Sequence, residues 1–291
     1  MPASNPNRAV LIAGPTASGK SALALRLAAA ENGVIINADS MQVYAPLRVL
    51  TARPSVEEEA RAPHRLYGHV AAGEAYSVAR WQREAVAEIT AALAAGCLPI
   101  VVGGTGLYFM ALLKGLAEVP EIAPEVRKKW RGFEGDLHAE LARKDAVSAA
   151  RLHPADRQRL IRALEVVEST GTSLVEWQAR ASASAPLAGF AVTRHFITLP
   201  REQLYARADA RFAAMLAQGA LDEVRRLPPL EAAHPLMKAI GVPELAAHLR
   251  GEMTLQEATA AAQMATRNYI KRQLTWSRGQ MADWPSVATA G

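Results

Sequence analysis

Residues Gly14–Ser21 read Gly-Pro-Thr-Ala-Ser-Gly-Lys-Ser, which fits the phosphate-loop pattern G-x-x-x-x-G-K-[ST]. The glycines let the backbone point several N–H groups at an anion, and a following helix adds its positive N-terminal end. Lys20 supplies a charge for terminal phosphate oxygens, and Ser21 can ligate a Mg²⁺ that bridges those oxygens. The segment therefore predicts a site for a diphosphate or a triphosphate, and it leaves the chemistry that follows open.

Two further polar residues follow apolar runs at points where strands are predicted to end. Nucleoside triphosphatases usually have a strand that ends in an acid near Mg²⁺, but the run before Gly103-Gly-Thr105 ends without one. Asp39 is the acid well placed at a strand end, so it is a metal-site residue or a base, or else an aspartate that caps a helix. Thr105 either donates to a phosphate oxygen or is a surface threonine in a glycine-rich turn.

Alternating apolar runs and helical patterns predict the elements that hold these residues. Buried strands are predicted over three runs: Ala9–Ala13, Val34–Ile36 and Leu98–Val102. A helix over Ser21–Glu31, ended by Gly33, separates the first two, and a helix capped by Ser77 and closed by Gly96 precedes the third. Strands and helices that alternate with short links predict an α/β fold, a P-loop NTPase-like parallel sheet with helices on both faces.

The middle of the chain differs in composition from both ends. From Glu118 to Arg162 there are 18 charged residues in 45, and prolines stand at three positions. We interpret residues 118–185 as a mainly helical insertion with Ala181–Ala185 as its exit linker, and residues 1–117 and 186–291 as the core domain. His195–Leu199 then predicts another core strand. A helix follows with one face formed by Tyr205, Ala208, Phe212 and Met215, and Gly219 interrupts it.

Bulk composition is that of an ordinary globular protein. The chain has 291 residues, of which 50% are hydrophobic and 21% charged, so it can bury a sizeable core. The net charge of +5 and the pI of about 9.5 are compatible with an RNA partner and alone do not require one. Cys97, the one cysteine, stands in an apolar run and predicts a buried core thiol. Met1–Arg8 is polar and no long apolar stretch follows, so we expect a cytoplasmic protein with no signal peptide or membrane span, and a monomer.

The motifs taken together resemble one family, the bacterial tRNA dimethylallyltransferases, also called tRNA isopentenyltransferases. The matching segments run in family order over nearly the whole chain: Gly14–Ser21, Asp39–Tyr44, Thr51–Pro54, Pro63-His64, Val102–Thr105, Leu107-Tyr108, His153–Asp156, Arg162–Glu165, Ala239–Gly241 and Lys271–Arg278. The phosphate loop alone is generic, whereas its combination with DSMQVY, VGGT and KRQLTW is specific. The chain departs from the pattern at Leu50, where the family commonly has glycine, and at Val242-Pro243, where it often has an aromatic residue.

The resemblance implies transfer of a dimethylallyl group from dimethylallyl diphosphate to N6 of adenine 37 in tRNA, with release of pyrophosphate. The implied diphosphate ligands are Gly14, Pro15, Thr16, Ala17, Ser18, Gly19, Lys20 and Ser21, with Ser21 also on Mg²⁺. Asp39 would take the proton from N6, and Thr105 would hydrogen-bond the diphosphate or the substrate nucleotide. Gln42 would read the adenine edge.

The same resemblance assigns the tRNA contacts, which centre on the anticodon stem-loop. They are Asp39, Ser40, Met41, Gln42, Thr105, Arg127, Gln158, Arg159, Leu160, Ile161, Arg162, Lys238, Gly241, Lys271, Arg272 and Arg278. Without the resemblance, the basic residues would be interpreted as solvated charged faces. The alternatives are a small-molecule kinase, with Asp39 binding the acceptor and the insertion as a lid, and a non-catalytic RNA-binding protein switched by nucleotide.

Overall fold

A computed structural model describes residues 7–117, 119–181, 185–231 and 234–287. The chain forms two compact units, one of Met1–Leu112 with Gly189–Gly291 and the other of Leu113–Ala188. Residues 182–184 of the predicted exit linker Ala181–Ala185, residue 118 and the first six residues of Met1–Arg8 lie outside the described residues.

A parallel sheet forms the centre of the first unit. Its strands are β1 (Arg8–Ala13), β2 (Gly33–Asn37), β3 (His64–Arg65), β4 (Leu98–Gly103), β5 (Ala191–Ile197) and β6 (Ser286–Val287). Within the described residues their order across the sheet is β3-β2-β4-β1-β5-β6, and every pair is parallel. Because β1 and β4 lie side by side, Ala13 is level with Gly103, so the loops that follow both strands start at one edge.

Helices, joined by turns and loops, connect the strands. In order they are α1 (Lys20–Glu31), α2 (Val56–Glu59), α3 (Val78–Ala94), α4 (Gly106–Lys114), α5 (Pro124–Arg131), α6 (Leu137–Lys144), α7 (Ala146–Arg151), α8 (Arg157–Thr170), α9 (Leu174–Ala181), α10 (Arg201–Ala217), α11 (Ala220–Arg225), α12 (Val242–Leu249) and α13 (Leu255–Gln280). Ser77 caps α3 by accepting from the Arg80 N–H, as its sequence predicts.

Both faces of the sheet are covered. On one face, the inward side chains of β1, β2 and β4 pack with Ala24, Leu25 and Ala28 of α1. α3 packs on β2 and β4, where Trp81 is fully buried and its indole donates to Asn37 O at 2.7 Å. A strand buried on both faces needs a continuous apolar run, which is what β1, β2 and β4 have. The predicted α/β fold with helices on both faces is confirmed.

Two local predictions around α1 and β4 are wrong. Helix α1 ends at Asn32, which adopts the left-handed conformation, and Gly33 is already the first residue of β2. Asparagine can take this conformation because its side chain bonds locally, so the helix does not need glycine there. Cys97 is half-buried just before β4, where its Sγ accepts from Asn32 Nδ2 at 3.5 Å, and it is not a core thiol.

The C-terminal half differs from prediction mainly in boundaries. Strand β5 begins at Ala191 and ends at Ile197, so it starts before His195 and stops short of Leu199. On α10, Leu204 takes the core position predicted for Tyr205, which is half-buried. The sequence did not predict β3 and β6, because two-residue strands at sheet edges carry no periodicity.

The second unit is helical, which confirms the predicted mainly helical insertion. Helices α5 to α8 pack around a core that contains Trp130, Leu141, Leu160 and Leu164. Asp145 and Asp156 cap α7 and α8 by accepting backbone N–H groups. Among the described residues, no helix in either unit is long and apolar enough to cross a bilayer.

Candidate active site

The phosphate-loop segment leaves the end of β1 and turns directly into α1. Gly14 is required there, because a Cβ would lie 2.2 Å from the Ile197 carbonyl oxygen at the end of β5. Ala17 adopts a left-handed conformation with φ of 63°, which costs a residue with a side chain about 1 kcal/mol or more. The loop is therefore held in one shape by its neighbours, with α1 starting at Lys20.

The side chain of Lys20 contacts this loop, and its Nζ donates to the Pro15 carbonyl oxygen at 2.7 Å. Burial lowers its pKa to about 8, while the carboxylate of Asp39 raises it and the guanidinium of Arg211 lowers it further. An anion bound in the loop would stabilise the charged ammonium. The site thus holds a lysine whose charge depends on what is bound beside it.

Arg211 is a site residue that the sequence did not single out. It projects from α10, and its guanidinium donates to the Thr16 hydroxyl of the phosphate loop. Burial lowers its pKa, and the charge of Asp39 opposes that shift. The sequence did contain a signal for Arg211. It stands beside Ala208 and Phe212, which are core positions of the same helix, and a charged residue there usually has a partner or a function.

Asp39 lies just past the end of β2, in a tight turn held by its own side chain. The Asp39 N–H donates to Asn37 Oδ1 at 2.8 Å, and Asp39 Oδ1 accepts the Met41 N–H at 2.9 Å. It caps a turn, not a helix. Its other oxygen, Oδ2, lies beside Gly104, where a Cβ would be 3.6 Å away.

The charge of Asp39 acts on several buried groups around it. Burial raises the pKa of three tyrosines, and the Asp39 carboxylate raises each one further: Tyr67, Tyr108 and Tyr269. The same carboxylate favours the charged forms of Lys20 and Arg211. Asp39 is therefore the anionic centre of a site with two desolvated cations on its loop side.

Thr105 joins the end of β4 to the turn that carries Asp39. Its Oγ1 accepts the Ser40 N–H at 3.0 Å and donates to Ser40 Oγ at 3.3 Å, and its N–H donates to Ala38 O. The structure brings the predicted residues Asp39, Ser40 and Thr105 together. Thr105 is half-buried and is not a plain surface threonine.

A cavity of about 250 Å³ opens beside Thr105 at the C-terminal ends of β1, β4 and β5. Its lining includes Gly14 of the phosphate loop and Gly104 next to Asp39, and α13 forms another wall. The larger side chains of the lining are mostly apolar or aromatic: Leu107, Phe109, Phe196, Tyr269, Trp276 and Met281. A small apolar group joined to an anion in the loop would fit this arrangement.

Ser21 and Gln42 differ in what they can offer a ligand. Ser21 is exposed in the first turn of α1, the position that the motif gives to a metal-binding hydroxyl. Gln42 Nε2 donates to the carbonyl oxygens of Thr51 and Ala52 at 2.8 and 3.0 Å. The amide nitrogen of Gln42 therefore holds the 51–52 segment, and the prediction that this side chain reads the adenine edge stays a prediction.

Among the predicted tRNA contacts in the first unit, the basic residues are exposed. Lys238 ends a 3₁₀ turn over Pro235–Lys238, and Lys271, Arg272 and Arg278 lie on α13. Arg267, one turn before Lys271, instead pairs with Asp209 of α10 at 2.7 Å. Gly241 is buried, its N–H donates to Glu244 and its carbonyl accepts from Leu245, and its assignment as an RNA contact stays a prediction.

The predicted tRNA contacts of the second unit also include both exposed and buried residues. Gln158 and Arg159 are exposed in the first turn of α8, and Arg127 on α5 and Arg162 on α8 are half-buried. Leu160 is 1% exposed inside the core, and Ile161 packs against that core. The side chain of Leu160 therefore faces the core of the second unit, and its assignment as an RNA contact stays a prediction.

Two of the three residues that depart from the family pattern pack in one apolar cluster. Leu50 and Val242 are buried in the same apolar cluster, and a Cβ on Gly241 would meet Leu50 Cδ2 at 2.7 Å. Glu223 holds the backbone here by accepting the N–H groups of 48, 49 and 50 at 2.8, 2.7 and 3.0 Å. The leucine fills space over Gly241, whereas Pro243 is exposed in the first turn of α12.

Comparisons with known proteins indicate the same kind of protein over nearly the whole chain. Residues 42–280 match a family model described as IPP transferase. A tRNA dimethylallyltransferase of Azorhizobium caulinodans is 56% identical over 283 residues, which are 95% of this chain and 90% of that protein. A tRNA dimethylallyltransferase of Rhodospirillum centenum is 55% identical over 293 residues, covering 97% of this chain and 91% of that protein.

Solved structures agree with these relatives. The full-length tRNA isopentenylpyrophosphate transferase of Bacillus halodurans has a TM-score of 0.69 and 33% identity, and the match covers 97% of this chain and 90% of that one. A eukaryotic dimethylallyltransferase acting on tRNA has a TM-score of 0.84 and 27% identity, covering 97% of this chain and 74% of that one.

Proposed function

The chain belongs to the tRNA dimethylallyltransferase family and prenylates tRNA, and we propose that it transfers the dimethylallyl group of dimethylallyl diphosphate to N6 of adenine 37, releasing pyrophosphate. The observation that carries the proposal is the position of Asp39. Asp39 lies beside Gly104, and its charge acts on Lys20 and Arg211. The proposed base is therefore close to the cationic loop proposed to hold the diphosphate. The comparisons give no support to a small-molecule kinase.

The donor diphosphate would lie in the loop Gly14–Ser21. Lys20 belongs to that loop and Arg211 of α10 contacts it. Both cations are desolvated, so each interacts more strongly with a bound anion here than it would in water. Charge grows on the bridging oxygen as the allylic C–O bond breaks, so these groups stabilise the leaving pyrophosphate more than the intact donor. The five carbons of the dimethylallyl group would lie in the mostly apolar cavity of about 250 Å³ next to Gly14.

Mg²⁺ fits this loop as a partner of the diphosphate. Among the described residues, no group of three His, Cys, Asp or Glu could hold a metal ion alone, while Ser21 presents a hydroxyl at the start of α1. Mg²⁺ bound to phosphates uses one or two protein ligands and keeps several waters, so a single hydroxyl is sufficient. When bound, the ion would neutralise part of the charge on the pyrophosphate.

Asp39 would act as the general base. The N6 lone pair forms the new bond to the allylic carbon, the C–O bond electrons leave with pyrophosphate, and the surplus N6 proton passes to Asp39 Oδ2. The Met41 N–H fixes Oδ1, which leaves Oδ2 facing Gly104. Since N6 becomes acidic only as the bond forms, the base need not be strong. Thr105, held against Ser40, would orient the nucleotide or the diphosphate.

The tRNA would be bound by basic residues on each of the two units. Adenine 37 lies in a single-stranded loop, so turning it out of the stack costs less than the few kcal/mol of a paired base. On the first unit the exposed candidates are Lys238, Lys271, Arg272 and Arg278, with Ser40 and Met41 beside Asp39. On the second unit the candidates are the exposed Gln158 and Arg159 and the half-buried Arg127 and Arg162. tRNA as substrate supports a cytoplasmic location, and the monomeric state stays a prediction.

Label transfer tests the proposal directly. The protein is mixed with Mg²⁺, dimethylallyl diphosphate labelled in its carbon skeleton, and an unmodified tRNA transcript, with a transcript that differs only by guanine at position 37 as control. Label should enter only the adenine-37 transcript, with one pyrophosphate released per group transferred. Absence of label in tRNA, together with phosphorylation of a small metabolite by ATP, would support the kinase and contradict the proposal.

A further inference from the structure

Gln273, in the second half of α13, hydrogen-bonds two loops that are far apart in the chain. Its Oε1 accepts the Thr16 N–H of the phosphate loop at 3.0 Å, and its Nε2 donates to the Gly104 carbonyl oxygen at 3.0 Å. The chemistry fixes which way the amide points, because an N–H needs an acceptor and a carbonyl needs a donor. One side chain thus connects two loops that lie 257 and 169 residues before it in the sequence.

The two loops belong to the two halves of the proposed reaction. Thr16 is part of the segment proposed to hold the departing pyrophosphate. Gly104 stands between Gly103 and Thr105, and a Cβ on it would lie 3.6 Å from Asp39 Oδ2 and 3.6 Å from Gly14 O. Gly104 therefore lies beside both the donor loop and the Asp39 carboxylate.

Glycine at 104 is what allows the amide of Gln273 to reach this point. A Cβ there would lie 2.5 Å from Gln273 Nε2, which is closer than real contacts allow. The amide would have to shift, which would lengthen or break its hydrogen bond to Gly104 O. The sequence motif VGGT and the glutamine of KRQLTW are therefore linked by one contact.

Two aromatic residues hold the same face of α13 against the site. Tyr269 lies four residues before Gln273, hydrogen-bonds it, and has its pKa raised by burial and by the charge of Asp39. Trp276 lies three residues after Gln273 and packs directly on Gly106. Residues at these spacings share a helix face, so this face of α13 is held against the site before and after Gln273.

We propose that Gln273 is a positioning residue that sets the separation between the diphosphate loop and the acceptor side of the site. This inference rests on the proposed function. Joining two reactants requires the reacting atoms to be held about 3 to 3.5 Å apart, and an error of about 1 Å can cost about 100-fold in rate. Without the amide, both substrates can still bind, but the loops that carry them are no longer tied together.

The main test compares Gln273→Met with Gln263→Met. Gln263 lies on the same helix, is also half-buried, and donates one hydrogen bond to the backbone of Asp209, so it is a matched control. Gln273→Met should lower kcat about 100-fold, with the KM for donor and the tRNA affinity within about threefold of wild type. Gln263→Met should leave kcat within about twofold. Equal kcat in both variants, or a loss confined to KM or tRNA binding, would overturn the inference.

A second variant tests the same contact from the opposite loop, and it applies even if Gln273→Met does not fold. Gly104→Ala displaces Nε2 without altering α13, so it should also lower kcat with tRNA affinity retained. Combining it with Gln273→Met should lower kcat little beyond either single change, because both remove one bond. Fully multiplicative effects would contradict the inference. If wild type itself transfers no label, the proposed function fails, whereas wild-type transfer with an unaffected Gln273→Met overturns only this inference.

Discussion

The diphosphate loop and the residues proposed to bind tRNA differ in how much of their geometry the protein itself provides. Around the loop, Lys20 bonds Pro15, Arg211 bonds Thr16 and Gln273 bonds both Thr16 and Gly104. The basic residues proposed for tRNA are mostly at the surface, and where they pair they do so within a turn, as Arg159 does with Asp156 at 3.3 Å while 67% exposed.

This difference reflects the two tasks. A leaving group needs charges that are fixed before the bond breaks, since reorganising them would add to the barrier. Exposed ion pairs contribute only about 0 to 1 kcal/mol each, so they can open for an RNA backbone at little cost. We therefore expect changes near the loop to alter turnover, and changes at the surface to alter affinity and its salt dependence.

Asp39→Asn should have the largest effect. The amide keeps an acceptor for the Met41 N–H, so the turn should survive, but it cannot take the N6 proton. We expect kcat to fall about 100-fold to 10,000-fold with tRNA affinity nearly unchanged. Single-turnover transfer and a separate tRNA-binding titration measure the two quantities. Weakened tRNA binding with unchanged turnover of the bound fraction would contradict the role of Asp39 as base.

Arg211→Met comes next, because it removes one buried cation from the loop and leaves a side chain of similar length. Loss of a charged hydrogen bond, about 1.5 to 3 kcal/mol, should lower kcat/KM for the donor about tenfold to 100-fold. Arg207→Met is the matched control, since Arg207 lies one turn earlier on α10 and is exposed. Similar values for both variants would show that Arg211 has no special part in donor binding.

Lys20 should make donor binding depend on pH. Its pKa of about 8 in the free protein means that the neutral form grows as pH rises above 8, while a bound diphosphate favours the charged form. Binding above pH 8 must then take up a proton, so affinity should fall by up to tenfold per pH unit. Calorimetry in two buffers of different ionisation enthalpy measures the uptake. Lys20→Arg should bind without it because arginine stays charged, and equal proton uptake in both proteins would refute the assignment.

Lys271→Gln should give the smallest effect, and one that salt reveals. An exposed lysine that contacts a phosphate of a single-stranded loop contributes about 0.7 to the slope of log affinity against log salt concentration. The control replaces both members of the neighbouring pair, as Asp209→Asn with Arg267→Gln, because that pair is already neutral. We expect the slope to fall only in Lys271→Gln. The same slope in wild type and Lys271→Gln would remove Lys271 from the tRNA surface.

The two regions also differ in what the sequence could reveal. The phosphate loop was predictable because its pattern is local, and Asp39 because it follows a strand run. Arg211 and Gln273 were not, since they reach Thr16 from helices 195 and 257 residues later in the chain. Family segments named Leu160, Gly241 and Gln42 as contacts, yet a segment does not say which side chains face solvent. Burial and internal hydrogen bonds decide that, and they depend on tertiary packing.

The central claim is that the loop Gly14–Ser21 holds a departing pyrophosphate and that a carbon group, not a phosphoryl group, is transferred. Dimethylallyl diphosphate carrying ¹⁸O at the oxygen between the allylic carbon and phosphorus tests this claim most directly. With tRNA and wild-type protein, mass spectrometry should find the label in released pyrophosphate and an unlabelled prenyl group on adenine 37. Label retained on the carbon fragment, with a phosphoryl group passed to an acceptor, would contradict the account.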